Sequence, residues 1–182
     1  MKLIKLNAID STNSFLKDLA KNSVLENFTT VVAKNQTKGR GQQEGTWVSK
    51  KGKNLTLSTY VSFRDFDIQQ KRYLNFAVTL AIYKTLQSYN LQNIYIKWPN
   101  DILSENKKIA GVLVENTFSS SKVKNTIIGI GLNVNQMSFC DLSTKATSLK
   151  KSLNTHVDID LAEVLNILIS ELKIFLHKIE EK

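Results

Sequence analysis

Lys97-Trp98-Pro99-Asn100-Asp101-Ile102-Leu103-Ser104-Glu105-Asn106-Lys107-Lys108-Ile109-Ala110-Gly111-Val112-Leu113-Val114-Glu115 is the stretch on which the architecture turns. Residues 95–98 combine β-branched and aromatic side chains and predict a strand. Pro99 ends its pairing, because it has no N–H to give to a ladder. Ile102-Leu103 form a second short strand, which turns through Ser104-Glu105-Asn106 into a longer one over residues 108–115. Alternation along that strand puts Ile109, Gly111, Leu113 and Glu115 on one face, with Lys108, Ala110, Val112 and Val114 on the other. A lysine beside small residues on an apolar strand is costly unless an anion meets it, and Gly111 admits a close approach to the backbone. The competing reading makes Lys107 and Lys108 solvated hairpin charges, as surface lysines usually are. Two other stretches weigh against it.

The first lies downstream. Residues 123–134 predict a strand that carries Gly129-Ile130-Gly131-Leu132-Asn133. Glycines two apart share a face and leave room there for a ring or a crossing backbone. Asn133 offers both a donor and an acceptor, which suits an adenine edge. A bend of the barrel kind explains the glycines equally well. The second lies upstream, in Gln36-Thr37-Lys38-Gly39-Arg40-Gly41-Gln42-Gln43-Glu44-Gly45-Thr46-Trp47, which has neither helical nor strand periodicity. Its glycines let the backbone curl and present N–H groups to anionic oxygens. Arg40 can pair bidentately with a carboxylate or phosphate, and Trp47 can close over a flat ring. The spacing is neither that of a Walker loop nor that of a dinucleotide fingerprint.

Around these stretches the elements follow from pattern. Residues 1–6 and 29–33 predict strands. Between them Asp10-Ser11-Thr12-Asn13 has the composition of a helix N-terminus, leading into a face of Phe15, Leu16, Leu19 and Ala20. Capping needs only one of those polar residues, and three at a dipole-positive end can also grip a small polar ligand. Residues 54–63 alternate as a half-buried antiparallel strand. Residues 69–87 predict a helix with Tyr73, Phe76, Ala77, Leu80 and Ala81 as its buried stripe. Asp160-Leu161-Ala162-Glu163 resembles a capping box opening a last helix, whose stripe is Leu161, Val164, Leu165, Leu168, Ile169 and Leu172. The expected fold is therefore α+β: a mixed, mainly antiparallel sheet with helices packed on one face.

Composition narrows the function. A chain of 182 residues builds one core, so residues 1–182 are expected to form a single domain. No apolar run approaches the ~18 residues of a membrane span. The lone Cys140 cannot form an internal disulfide and reads as a small buried apolar residue, consistent with a cytoplasmic protein. A formal charge of +9 favours anionic partners, but the lysines are dispersed and form no nucleic-acid tail. His156 and His177, the only histidines, lie outside the ligand-like stretches, which argues against a Ser-His-Asp device or a His-ligated zinc. What remains is Arg40, Lys97 and Lys108 with backbone amides, a set suited to alignment and charge stabilisation at a phosphate. Asp101 can either help hold a magnesium ion or serve as a turn residue after Pro99.

The Gly39-Arg40-Gly41 loop through Trp47, the Lys97-Trp98-Pro99-Asn100-Asp101 run, Lys108-Ile109-Ala110-Gly111 through Glu115, and Gly129 through Val134 occur in the order seen in biotin–protein ligases. The resemblance extends from Ser11 to Leu149. It implies activation of biotin by Mg-ATP to biotinyl-5′-adenylate, followed by transfer to a lysine of a biotin carrier domain. By the same resemblance Arg40, Lys97 and Lys108 are the catalytic cations. Ser11, Thr12, Asn13, Gln36, Gly39, Arg40, Gly41, Gln42, Lys108 and Gly111 fall to biotin; Trp47, Asn100 and Asn133 fall to the adenylate. This sequence departs from the family at Gln42, where arginine is common, and at Glu44, where glycine is usual. By the same resemblance it is expected to have neither the repressor-type helix-turn-helix nor the small C-terminal β-barrel. The rivals are a lipoate or octanoate ligase or transferase of the same fold, opposed by the Gly39-Arg40-Gly41 pattern, and a non-catalytic biotin- or nucleic-acid-binding module. DNA is not the expected partner, and the sequence assigns no oligomeric state.

Overall fold

In the computed structural model, residues 2–139 and 145–180 are described. The elements are β1 (Leu3–Leu6), α1 (Thr12–Asn22), β2 (Thr30–Ala33), β3 (Leu55–Ser62), a 3-10 turn (Ile68–Gln70), α2 (Arg72–Ser88), β4 (Ile94–Lys97), β5 (Asp101–Ser104), β6 (Lys107–Ser119), β7 (Lys122–Leu132), α3 (Leu149–Ser152) and α4 (Leu161–Glu180). The strands form one seven-stranded sheet in the order β1-β2-β3-β7-β6-β5-β4. β1 and β2 run parallel, bridged by α1, and the other neighbours are antiparallel. This is the mixed, mainly antiparallel sheet that the strand pattern predicts. Cys140 lies outside the described residues.

The strand pleat assigns the two faces. Val32, Val61 and Ile128 belong to the main core with α2 and α4. Their chain neighbours Val31, Tyr60 and Ile127 pack instead with Leu16, Phe15 and Leu19 of α1. The two long helices thus share one face as expected, while α1 covers part of the other. Beside α1, that second face is left to a cavity. β3 is accordingly buried on both faces along most of its length, not half-buried: Thr56 and Ser58 are covered as completely as Leu55 and Leu57.

α4 starts and packs as its sequence predicts, with the Asp160 carboxylate accepting the Ala162 N–H at 2.9 Å and its apolar stripe in the core. α2 departs from expectation. Its buried stripe is Leu74, Ala77, Val78, Ala81, Ile82 and Leu86, and the larger Tyr73, Phe76 and Leu80 are exposed. Two apolar stripes run side by side on this helix, and close packing against α4 and the sheet selects the one carrying the small alanines. Phe76 stacks instead on Trp98, with ring centroids 4.9 Å apart.

β6 holds the departure that matters most for the site. On β5, Ile102 pairs with Ala110 but Leu103 pairs with Lys108, so Ile109 is an extra residue in the ladder. Such a β-bulge resets alternation locally. Ile109 and Ala110 both turn to the core and are fully buried. Lys108 is thereby moved to the face of Gly111, the opposite of what uninterrupted alternation predicts. Segment 145–147 pins the lysine backbone from outside, through Lys108 N–H to Lys145 O and Thr147 N–H to Lys108 O, each 2.9 Å.

Candidate active site

α1 begins at the cavity. Ser11 is its N-cap, accepting from the Ser14 N–H, and Ser11, Thr12 and Asn13 are each only 3% exposed. The hydroxyl of Thr12 (2.9 Å) and its backbone N–H (2.7 Å) both donate to the Gln36 carbonyl oxygen. Ser58 Oγ lies 2.7 Å from Thr12 Oγ1 and 2.5 Å from Asn13 Oδ1. Asn13 Nδ2 then donates to Glu115 at 2.9 Å. A continuous polar chain therefore links the end of β2, α1, β3 and β6. Every group in it is bonded, as buried polar groups must be.

Residues 39–47 form a folded-back loop. Trp47 N–H donates to Gly39 O (3.0 Å), Gly41 N–H to Gly45 O (2.6 Å) and Gly45 N–H to Gln42 O (2.8 Å). Gln43 (φ 49°) and Glu44 (φ 61°) take left-handed backbone conformations at its tip. Glu44 thus occupies a conformation that favours glycine, the residue that the resemblance leads one to expect there. Arg40 reaches back to β6, its Nη1 and Nη2 donating to the Glu115 carboxylate at 3.3 and 3.2 Å.

The room left by the strand glycines is filled by the protein's own groups. A Cβ at Gly131 would overlap the Trp47 ring, and one at Gly129 would overlap the Asn13 carboxamide. Above Gly111 lie the Lys108 side chain and the edge of the same indole. Lys108 Nζ stands 5.9 Å from the Trp47 ring centroid and 2.7 Å from Asp101 Oδ1. The Trp47 N–H is buried and meets no acceptor among the described residues. Glu115 carries a shifted carboxyl beside the site. Burial works against its ionisation, but the Asn13 hydrogen bond and the charges of Arg40 and Lys17 outweigh that, so its carboxyl lies below the ordinary glutamate range.

These groups enclose a cavity of about 320 Å³, walled by Ser11, Thr12, Asn13 and Gln36, by Arg40, Gly41, Gln42 and Trp47, and by Asn100, Asp101, Lys108 and Gly111. That size suits a small organic ligand. Asn100 is held there by two bonds with Val112, one through its side chain (3.1 Å) and one through its backbone (2.9 Å). Three of the expected residues lie elsewhere. Lys97 is exposed at the end of β4. Gly39 sits in the neck of the loop, bonded to Trp47. Asn133 is buried and donates to Thr147 O at 3.0 Å. Neither histidine lines the cavity; His177 packs 6.0 Å from the Phe28 ring. Motif reading overlooked Ser58 and assigned Glu115 no role. For Glu115 the signal was present, since alternation already put it on the face of Gly111.

The fold and the cavity together describe an α+β domain with a cavity between a glycine loop and a bulged strand, lined by the cations Arg40 and Lys108. The chain belongs to the family described as Biotin/lipoate A/B protein ligase, which matches residues 6–133. Among curated relatives, it is 36% identical to the bifunctional ligase/repressor BirA of Bacillus spizizenii over 159 residues, 86% of this chain and 48% of that protein. Over 127 residues, 69% of this chain and 51% of the relative, it is 33% identical to the biotin–[acetyl-CoA-carboxylase] ligase of Paracoccus denitrificans. The chain spans about half the length of these relatives. The solved biotin protein ligase of Aquifex aeolicus in complex with biotin and ATP superposes with a TM-score of 0.75 at 32% identity, covering 100% of this chain and 72% of that one. No helix among the described residues is long and apolar enough to cross a membrane.

Proposed function

We propose that the chain is the catalytic part of an ATP-dependent biotin–protein ligase acting in the cytoplasm. The observation that carries this reading is the presence of Arg40 and Lys108 on the walls of one cavity, beside the Ser11–Asn13 and Gln36 polar chain. In the first step a biotin carboxylate oxygen attacks the α-phosphorus of ATP, and the bond to pyrophosphate breaks. In the second, the ε-amine of a carrier lysine attacks the acyl carbon, and AMP departs. The first step brings two anions together, a repulsion that grows where water is excluded. Arg40 and Lys108 offset it, and they act most strongly on the charge of the transition state.

The biotin head group falls to Ser11, Thr12, Asn13 and Gln36, whose polar atoms converge. Trp47, with its unmatched N–H, and Asn100 face the adenylate end. Lys97 and Asn133 would join only through a rearrangement on binding. Asp101 is engaged by Lys108, and among the described residues no three His, Cys, Asp or Glu are grouped to hold a metal. A magnesium ion would therefore come to the cavity bound to the phosphates of ATP, with at most one or two protein oxygens beside it. A biotin carrier domain is the partner.

Pyrophosphate release tests the proposal. It is expected to require both ATP and biotin, and to stay at background when lipoate or octanoate replaces biotin. Release with lipoate but not biotin would move the chain to the lipoate branch of its family.

A further inference from the structure

Glu115 stands behind the cavity without being one of its walls. It lies on β6, four residues beyond Gly111, with a side chain only 18% exposed. Three donors from two other segments converge on its carboxylate: Asn13 Nδ2 at 2.9 Å, the Arg40 guanidinium at 3.2 and 3.3 Å, and Lys17 Nζ at 3.4 Å. Two of the three, Asn13 and Arg40, are cavity walls. An exposed Arg–Glu pair would contribute little. A mostly buried carboxylate shared between a helix start and a loop neck restricts both, through charge-assisted bonds that are stronger than neutral ones. Arg40 Nη1 also donates to Ser14 Oγ at 3.4 Å, and the guanidinium N–H groups beyond these bonds are available to an anion, so the pair can persist when ligand arrives.

We infer that Glu115 is a positioning residue for the adenylating site: it holds the Arg40 guanidinium and the Asn13 carboxamide in one fixed relation, so that the Gly39–Trp47 loop closes with Arg40 already in place. The catalytic consequence rests on the ligase reading above; the hold on the loop does not.

The test uses Glu115→Gln, which keeps size and removes charge, Glu115→Asp, which keeps charge, Arg40→Gln, and the Glu115→Gln/Arg40→Gln double variant. In ligand-free protein, amide hydrogen exchange across residues 38–47 is expected to speed up about tenfold in Glu115→Gln while α4 keeps its protection. With biotin and ATP, premature adenylate release should rise about tenfold in Glu115→Gln, and Glu115→Asp should recover part of the loss. Adding Glu115→Gln to Arg40→Gln should cost clearly less than it does in the parent, because the part of its effect that runs through Arg40 is then silent and only the hold on Asn13 is left to lose. Additive losses in the double variant, unchanged loop exchange, or tighter biotin binding in Glu115→Gln would each overturn the inference. If the parent protein itself makes no biotin-dependent pyrophosphate, the ligase reading fails, and the exchange experiment still decides whether Glu115 holds the loop.

Discussion

Lys108 is the residue whose chemistry depends most on where a single backbone irregularity points it. Its Nζ is held by Asp101 at 2.7 Å at the cavity wall, so replacing it removes a cation from the cavity without opening the core. Lys108→Ala is expected to leave the unfolding temperature within a few degrees of the parent. Adenylation kcat should fall by about 10²–10³, with a smaller rise in the KM for biotin. Near-normal turnover would make Lys108 a bystander. Glu115 gives a second residue-level expectation, concerning pH. Its carboxyl is below the ordinary value of 4.5 in the folded protein, so the unfolded chain binds its proton more readily. The resulting stability is fully present above that ordinary value and is lost as pH falls through the lower folded one. Unfolding temperature measured against pH should therefore drop more steeply below about pH 4.5 in the parent than in Glu115→Gln. Parallel curves would show that the carboxylate gains nothing from Arg40, Lys17 and Asn13.

At the scale of the elements, β6 and β7 explain why glycines and a bulge recur around one cavity. β7 has glycine where Asn13 and Trp47 press on the sheet, and β6 has Gly111 beneath Lys108. Gly131→Ala would force the indole off its floor, because the added Cβ overlaps the ring, and overpacking of this kind costs about 1–3 kcal/mol. In a Trp98→Phe background Trp47 is the only tryptophan left. Gly131→Ala should then shift its emission to longer wavelength and weaken ATP-dependent adenylate formation. An unmoved spectrum would place the ring elsewhere. α2 shows the converse case, in which the larger residues lost the competition for burial. Tyr73, Phe76 and Leu80 lie outside because Ala77 and Ala81 allow a closer approach to α4.

For the whole molecule, the formal charge of +9 bears on which partner reaches the site. On the proposed ligase reading a carrier domain would deliver one lysine to the anhydride, and a basic chain meets an acidic-faced carrier fastest at low salt. Nucleic-acid binding is also salt-sensitive, so salt alone does not separate the two. Duplex DNA of arbitrary sequence, added in micromolar amounts at fixed salt, is expected to leave carrier biotinylation unchanged. Strong inhibition would mean that the basic surface serves nucleic acid.

Residues 95–98, 102–103, 108–115 and 123–134 declared their strands to within a few residues at each end, and α1 and α4 declared their starts, because pleat alternation and capping are local properties of the chain. The cluster of Gly39–Trp47, Lys108–Gly111 and Gly129–Gly131 was legible for the same reason: glycines and cations stand out wherever apolar pattern would otherwise continue. Three things were decided only by packing. The extra residue at Ile109 turned Lys108 toward the cavity, since register with β5 overrides alternation within β6. α1 took the face opposite α2 and α4, which buried Ser58 and both sides of β3. Arg40 and Asn13 met on Glu115, more than 70 residues beyond either in sequence. No local pattern can announce such a meeting, because the energy that creates it comes from contacts between segments that only the closed fold brings together.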